Sequence, residues 1–215
     1  MLAVDFYSLL HTLRELDQSP EAIASIWQNV LTREPEVVLL VDSKPYWRTK
    51  VYPEYKGNRN STPLDKELIE SGTSLGLPTL MLKGLEADDW AGLMALYKRT
   101  QGITGTLRFL TVDTDWMQLI DDEHGIEWEN LGGHAPFLRR HQEAVTWAYT
   151  RHKTWIPHPS YIGNIKRILG DSCDNVPPRH SEPLTELMGD EWLGALERSG
   201  YVVSELLGEV AKVYQ

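Results

Sequence analysis

The sequence predicts an α/β fold, a mostly parallel sheet with helices on both faces, from three observations. Four short apolar runs have the length and residue types of buried strands, helical patterns separate them, and acid follows each run.

The first two runs, Leu2 to Val4 and Val37 to Val41, bracket a helical pattern from Leu9 to Leu16 that continues into Glu21 to Leu31. The third and fourth, Leu80 to Leu82 and Leu107 to Thr111, flank a segment where Trp90, Leu93, Met94 and Tyr97 recur at helical spacing. Between Asp42 and Leu77 the text turns polar and basic and predicts no core element. After Trp155 it becomes rich in Pro and His, then reads as short helices around Ile162 to Leu169, Leu184 to Met188, Glu191 to Glu197 and Val203 to Val213. The expected organisation is therefore an α/β domain over 1–158, with an inserted segment at about 44–76, and a helical region over 159–215.

Composition bounds the function. No stretch approaches the roughly 20 apolar residues a bilayer needs, and the opening Met-Leu-Ala-Val-Asp lacks a basic leader, so the expectation is a cytoplasmic protein without a membrane partner. The single cysteine, Cys173, excludes an intrachain disulfide and a cysteine-based zinc site. The net charge of −10 argues against a generally basic nucleic-acid surface, but acids gathered on divalent cations would be neutralised there.

In an open α/β sheet, ligands bind outside the carboxyl ends of the strands. Asp5 follows the first run, Asp42 the second, Glu86, Asp88 and Asp89 the third, and Asp113 and Asp115 the fourth. Each alone reads as a helix N-cap or a first-turn acid. Together on one rim they would repel one another unless cations stood between them or several were protonated. Oxygen ligands select a hard ion, Mg²⁺ or Mn²⁺, two or more.

The segment Gly84-Leu85-Glu86-Ala87-Asp88-Asp89 resembles the G-[YV]-E-A-D-D signature of the 5′ nuclease family, the flap endonucleases and 5′→3′ exonucleases that include the 5′ nuclease domain of bacterial DNA polymerase I. Val4-Asp5 resembles that family's opening strand, and Asp42 to Arg48 its second-strand acid followed by an aromatic-Arg pair. Thr111 to Leu119 is similar to T-x-D-x-D-x-x-x-L, Gly170 to Pro177 to G-D-x-x-D-N-[IV]-P, and Glu54 to Arg59 to the E-Y-K-x-x-R of the helical arch. The family departs from this chain at Phe6 and Val112, where relatives often carry Gly. The chain also lacks a G-x-G-x-K-[TS]-A hairpin sequence after Pro178.

The resemblance implies a three-layer α/β/α PIN-like fold with an arch insertion and a C-terminal region like a degenerate helix-hairpin-helix. It implies that Asp5, Asp42, Glu86, Asp88, Asp89, Asp113, Asp115, Asp171 and Asp174 hold the ions. Lys56 and Arg59 would reach the scissile phosphate, and Lys44, Arg48 and Tyr55 would contact substrate. The implied partner is DNA with 5′ ends or flaps, or an RNA·DNA hybrid, with a replication protein supplying what the hairpin motif does elsewhere. The competing expectations are a PIN-type ribonuclease and a non-catalytic DNA-binding scaffold. Trp90, Trp116 and Trp192 are expected in the core, while the rings of Tyr46, Trp47, Tyr52 and Tyr55 could stack on bases or pack beneath the arch.

Overall fold

The computed structural model describes residues 1–15, 19–33, 35–44, 46–58, 66–130, 137–153, 155–163 and 192–215. Among these, the strands β1 (Leu2–Asp5), β2 (Val37–Leu40), β3 (Thr79–Leu80), β4 (Leu107–Thr111), β5 (Ile126–Asn130) and β6 (Phe137–Arg139) form one sheet. Its order is β3-β2-β1-β4-β5-β6, parallel throughout except for β6, which runs antiparallel to β5.

Alternation along the central strands builds two cores, because successive side chains point to opposite faces. Ala3, Val38, Leu40, Leu107 and Phe109 face one cluster, which helix α5 (Ala87–Gln101) covers with Trp90, Leu93 and Met94. Leu2, Val4, Val37, Leu39 and Leu110 face the other, covered by α1 (Phe6–Glu15) and α2 (Pro20–Arg33) through Leu9, Leu10, Leu13 and Trp27. Fully burying such a side chain contributes roughly 1.5–3 kcal/mol, so the two clusters supply most of what holds the sheet. The α/β/α expectation is met.

The helices differ from the expected text in physically readable ways. The first helical pattern is two helices, since Pro20 opens α2 and Ser19 Oγ accepts the Ala22 amide at 3.3 Å, a start signal inside an apparently continuous stretch. Helix α5 stops at Gly102, whose φ of 61° is left-handed. Helix α4 (Lys66–Thr73) seats against α1 and α2 at Gly72, where a Cβ would lie 2.4 Å from Phe6 Cε2 and 2.7 Å from Trp27 Cζ2.

The third strand is shorter than expected. It pairs with β2 through Thr79 and Leu80 only, at the sheet's edge, and Met81 and Leu82 turn outward, 60% and 43% exposed. Strand β5 was not anticipated, because Glu127 and Glu129 interrupt its apolar pattern. They are buried against Arg108 and Arg140, with Arg140 Nε at 2.9 Å from Glu127, while Trp128 faces the core.

The segment from Asp42 to Leu77 also corrects the reading. Trp47 is fully buried, and Arg48 and Tyr55 nearly so, around the short helix α3 (Arg48–Val51). After helix α6 (His141–His152), the C-terminal α7 (Trp192–Arg198) and α8 (Val203–Val213) bring Ala195, Leu196, Leu206 and Val210 into the cluster under α5. The expected helices at 164–169 and 184–188 lie outside the described residues, as do Arg59, Asp171 and Asp174. No helix among the described residues is long and apolar enough to cross a membrane.

Candidate metal centre

Parallel strands deliver their carboxyl ends to one edge, and the acids stand there on local structure that fixes each differently. Asp5 ends β1, and its Oδ1 accepts the Ser8 amide of α1 at 3.1 Å, as an N-cap does. Its Oδ2 accepts the Ser8 hydroxyl at 2.6 Å and the Thr111 hydroxyl, from the end of β4, at 2.7 Å. The Thr111 hydroxyl in turn accepts the Asp113 amide at 2.9 Å, so one side chain ties the ends of β1 and β4 together. Asp113 then caps a 3₁₀ turn, Thr114–Leu119, by accepting the Asp115 amide at 2.8 Å. Capping and the predicted edge position therefore coincide.

Asp42, just past β2, accepts the Ala87 amide at the start of α5 at 2.7 Å and the Tyr46 hydroxyl at 3.4 Å. Asp88, in the first turn of α5, accepts the indole N–H of Trp116 from the 3₁₀ turn at 2.7 Å. Burial pushes Asp5 up to about 7, opposed by Ser8 and Thr111 and reinforced by Asp42 and Asp88. Asp42 is pushed up to about 6 by burial and then by Asp88 and Glu86. Three carboxylates from three elements thus feel one another's charge.

Glu86 and Asp89 follow another logic. Both are buried, and both face the guanidinium of Arg48. Arg48 Nη1 reaches Glu86 Oε2 at 2.7 Å and Asp89 Oδ2 at 3.0 Å, and Nη2 reaches Asp89 Oδ1 at 2.7 Å. Asp89 Oδ2 also accepts the Trp47 indole at 3.2 Å and the Glu86 amide at 2.8 Å. Burial alone would lower the Arg48 pKa, but Asp89 and Glu86 drive it well above its ordinary value. Arg48, 7% exposed, has its fork engaged by the two acids, and both oxygens of Asp89 accept hydrogen bonds, from Arg48, Trp47 and the Glu86 amide.

Tyr55 is likewise buried, its hydroxyl 3.5 Å from Glu86 Oε1. Lys44 is exposed, its Nζ 5.8 Å from the centroid of the Tyr46 ring. Lys56 Nζ pairs with Glu86 Oε1 and lies 5.4 Å and 5.1 Å from the Tyr46 and Tyr55 ring centroids. Among the described residues, no three carboxylates stand close enough to hold an ion as placed. Each is drawn to its own partner instead, Asp5 to Ser8 and Thr111, Asp42 to Ala87, Glu86 to Arg48 and Lys56. The donor set still fits a hard cation: it is all oxygen, and Asp5 and Asp42, pushed up by burial first and then by neighbouring acids, are groups whose ionised form a bound cation would favour.

Sequence reasoning missed the hydroxyls and indoles. Ser8 and Thr111 hold Asp5, and Trp47 and Trp116, expected as stacking or packing rings, each donate to an acid. The available signal was polar side chains adjacent to the acidic motifs, Ser8 three residues after Asp5 and Trp116 one after Asp115.

The chain matches a family model described as the 5′-3′ exonuclease, N-terminal resolvase-like domain, over residues 10–148. It is 30% identical over 154 residues to DNA polymerase I of Lactococcus lactis, covering 67% of this chain and 16% of that protein. It is 26% identical over 160 residues to the 5′-3′ exonuclease of Buchnera aphidicola, covering 72% of this chain and 51% of that protein. The chain thus spans about half of the latter relative and a small part of the former. In fold it is similar to the bacteriophage T5 flap endonuclease in complex with DNA and metal ions, with a TM-score of 0.66 at 17% identity, covering 99% of this chain and 98% of that one. It is similar also to the T5 5′-exonuclease with bound divalent zinc, with a TM-score of 0.61 at 18% identity over 100% of this chain and 86% of that one. With an acid-lined carboxyl edge on this sheet and a family match across most of the sheet, the chain belongs to the 5′-3′ exonuclease family through its N-terminal, resolvase-like domain.

Proposed function

We propose that the chain is a divalent-metal-dependent 5′ nuclease that hydrolyses phosphodiester bonds at the 5′ ends or flaps of DNA, Mg²⁺ being the working ion and Mn²⁺ a substitute. The observation that carries this reading is the gathering of Asp5, Asp42 and Asp88 at the carboxyl edge, where burial first, and then one another's charge, push Asp5 up to about 7 and Asp42 up to about 6. Asp5, Asp42, Asp88, Asp113 and Asp115 would hold the ions, joined by Glu86 once Lys56 leaves it, and by Asp171 and Asp174. When bound, such ions supply Lewis acidity to the phosphate and lower the pKa of a coordinated water.

The chain's own groups do the rest. Arg48 and Trp47 hold Asp89, and Arg48 holds Glu86, so that only one Glu86 oxygen faces Lys56. Lys56, and Arg59 beyond it, would move onto the scissile phosphate and offset the charge that develops as water attacks phosphorus and the P–O3′ bond breaks, leaving a 5′-phosphate. Lys44, exposed beside Tyr46, would follow the backbone of an incoming strand. The site would act in replication or repair inside the cell, with RNA·DNA hybrids as a further substrate and a replication protein as partner.

The deciding experiment incubates labelled 5′-flap, 5′-overhang and RNA·DNA duplexes with and without Mg²⁺, alongside an Asp88→Ala/Asp113→Ala double variant. Mg²⁺-dependent flap cutting that the double variant loses is the expected result. Cutting of RNA alone would make the chain a ribonuclease, and binding without cutting would make it a scaffold.

A further inference from the structure

Three indole N–H groups point into the acidic edge, an unusual concentration of neutral donors. Trp47 donates to Asp89 Oδ2 at 3.2 Å, Trp116 to Asp88 Oδ1 at 2.7 Å, and Trp128 to the Asp113 carbonyl at 2.9 Å. The Trp47 contact secures a side chain already held by Arg48, and the Trp128 contact falls on a backbone carbonyl rather than on a carboxylate. The Trp116 contact differs, because it crosses from the 3₁₀ turn after β4 to the first turn of α5 and falls on the side chain of an acid read as an ion ligand.

From the geometry we infer that Trp116 is a positioning residue of Asp88, its indole N–H fixing the rotation at which the Asp88 carboxylate meets the ion. The inference rests on the metal-dependent reading above. An Asp carboxylate rotates about χ2 over a broad, nearly two-fold well, so an acid at the start of a helix has no intrinsic preference for one oxygen. A donor of fixed direction restricts that freedom. Trp116 is 2% exposed, and its ring meets Phe109 edge-on, with centroids 5.4 Å apart and planes at 89°. The indole therefore cannot swing away with the substrate, and its N–H stays on Asp88.

A neutral donor is also the right kind of partner. A lysine or arginine at this place would neutralise Asp88 and compete with a cation, as Lys56 does at Glu86. The indole orients the carboxylate and leaves its charge in place, which is what second-shell donors do for metal ligands generally, at a cost of about 10–100-fold in affinity or activity when removed. In sequence terms, the same residue that fills the core under β4 reaches the site edge.

The test is Mn²⁺ binding to the whole chain, followed without nucleic acid by the loss of free-Mn²⁺ electron paramagnetic resonance signal. Trp116→Phe keeps an aromatic ring and removes the donor, while Phe109→Leu loosens the same packing contact and keeps it. Trp116→Phe is expected to weaken Mn²⁺ binding by about tenfold, and Phe109→Leu to stay within about twofold, as a change that leaves the donor intact should. Cleavage by Trp116→Phe should recover toward the parent rate at saturating Mn²⁺, because the loss lies in holding the ion. Should Trp116→Phe bind Mn²⁺ as the parent does, or should both variants weaken equally, the positioning role is wrong although the metal site stands. If the parent itself takes up no Mn²⁺, the metal-dependent reading fails and this inference with it.

Discussion

Lys56 pairs with the buried carboxylate of Glu86 from a left-handed backbone conformation, φ 55°, between the rings of Tyr46 and Tyr55. A non-glycine residue held there costs of order 1 kcal/mol, so the ion pair and the two rings must outweigh it. The ammonium occupies the oxygen of Glu86 that Arg48 does not take, and so stands where a divalent ion would have to bind.

Lysine and ion therefore compete. Lys56→Met should raise Mn²⁺ affinity in the absence of nucleic acid, by on the order of tenfold if the pair contributes about 1.4 kcal/mol. The same variant should lose about 10²–10³ in cleavage rate, as removal of a charge-stabilising group does elsewhere. Calorimetric Mn²⁺ titration and flap cleavage measure the two halves separately, and weaker metal binding in Lys56→Met would refute the competition.

Arg48 joins two buried acids, Glu86, which Lys56 also pairs with, and Asp89. Arg48→Met should lower unfolding free energy by about 3–5 kcal/mol, because it leaves charge buried without its partner. Arg48→Lys should not restore it, since an ammonium is a single point and the fork spans both carboxylates. Urea unfolding of the three proteins decides the matter. A loss below about 1 kcal/mol would place Arg48 among ordinary surface pairs.

The sequence-based reading succeeded where one physical rule acted alone. The buried parallel strands β1, β2 and β4 announce themselves as continuous apolar runs, because both faces are covered, and the acids at their ends follow from chain direction. It failed where polar residues enter the interior with a partner that is distant in sequence. Glu127 and Glu129 hide β5 because Arg108 and Arg140 make their burial tolerable, and the ion pairing of Arg48, which the sequence presents as a substrate contact, shows only once Glu86 and Asp89 are brought beside it. Asp89 shows the same limit from the other side: its motif position is legible, but its commitment to Arg48 and Trp47 is a property of the fold.

Three helical glycines separate packing from propensity. Ala at Gly72 would drive its Cβ to 2.4 Å from Phe6, and at Gly92 to 2.9 Å from Trp192, whereas nothing lies within 4 Å at Gly208. Gly72→Ala and Gly92→Ala should each destabilise by about 1–3 kcal/mol, the usual range for overpacking. Gly208→Ala, in α8, should stabilise by roughly 0.5–1 kcal/mol through helix propensity alone. Thermal unfolding orders the three, and a stabilising Gly92→Ala would mean that α7 does not press on α5.

Stability should also fall as pH rises through the range where the edge acids ionise. Asp5 and Asp42 titrate in the folded chain at about 7 and about 6, against an ordinary value of 3.8. Below 3.8 both are protonated in folded and unfolded chains alike and contribute no penalty. Between 3.8 and the folded values the unfolded chain holds fewer protons than the folded one, so unfolding free energy declines with rising pH and levels off above about 7. At about 1.4 kcal/mol per pH unit of displacement, the penalty at pH 8 reaches on the order of 4 kcal/mol for Asp5 and about 3 for Asp42. Divalent ions bind the ionised acids and should offset it, stabilising more at pH 8 than at pH 5. Urea unfolding from pH 5 to 8, with chelator and with Mg²⁺, gives both slopes, and Asp5→Asn isolates the largest contributor from other titrating groups. Asp5→Asn should flatten the chelator curve and reduce the gain from Mg²⁺; a parent protein equally stable across this range in chelator would mean that the carboxyl edge carries no excess charge.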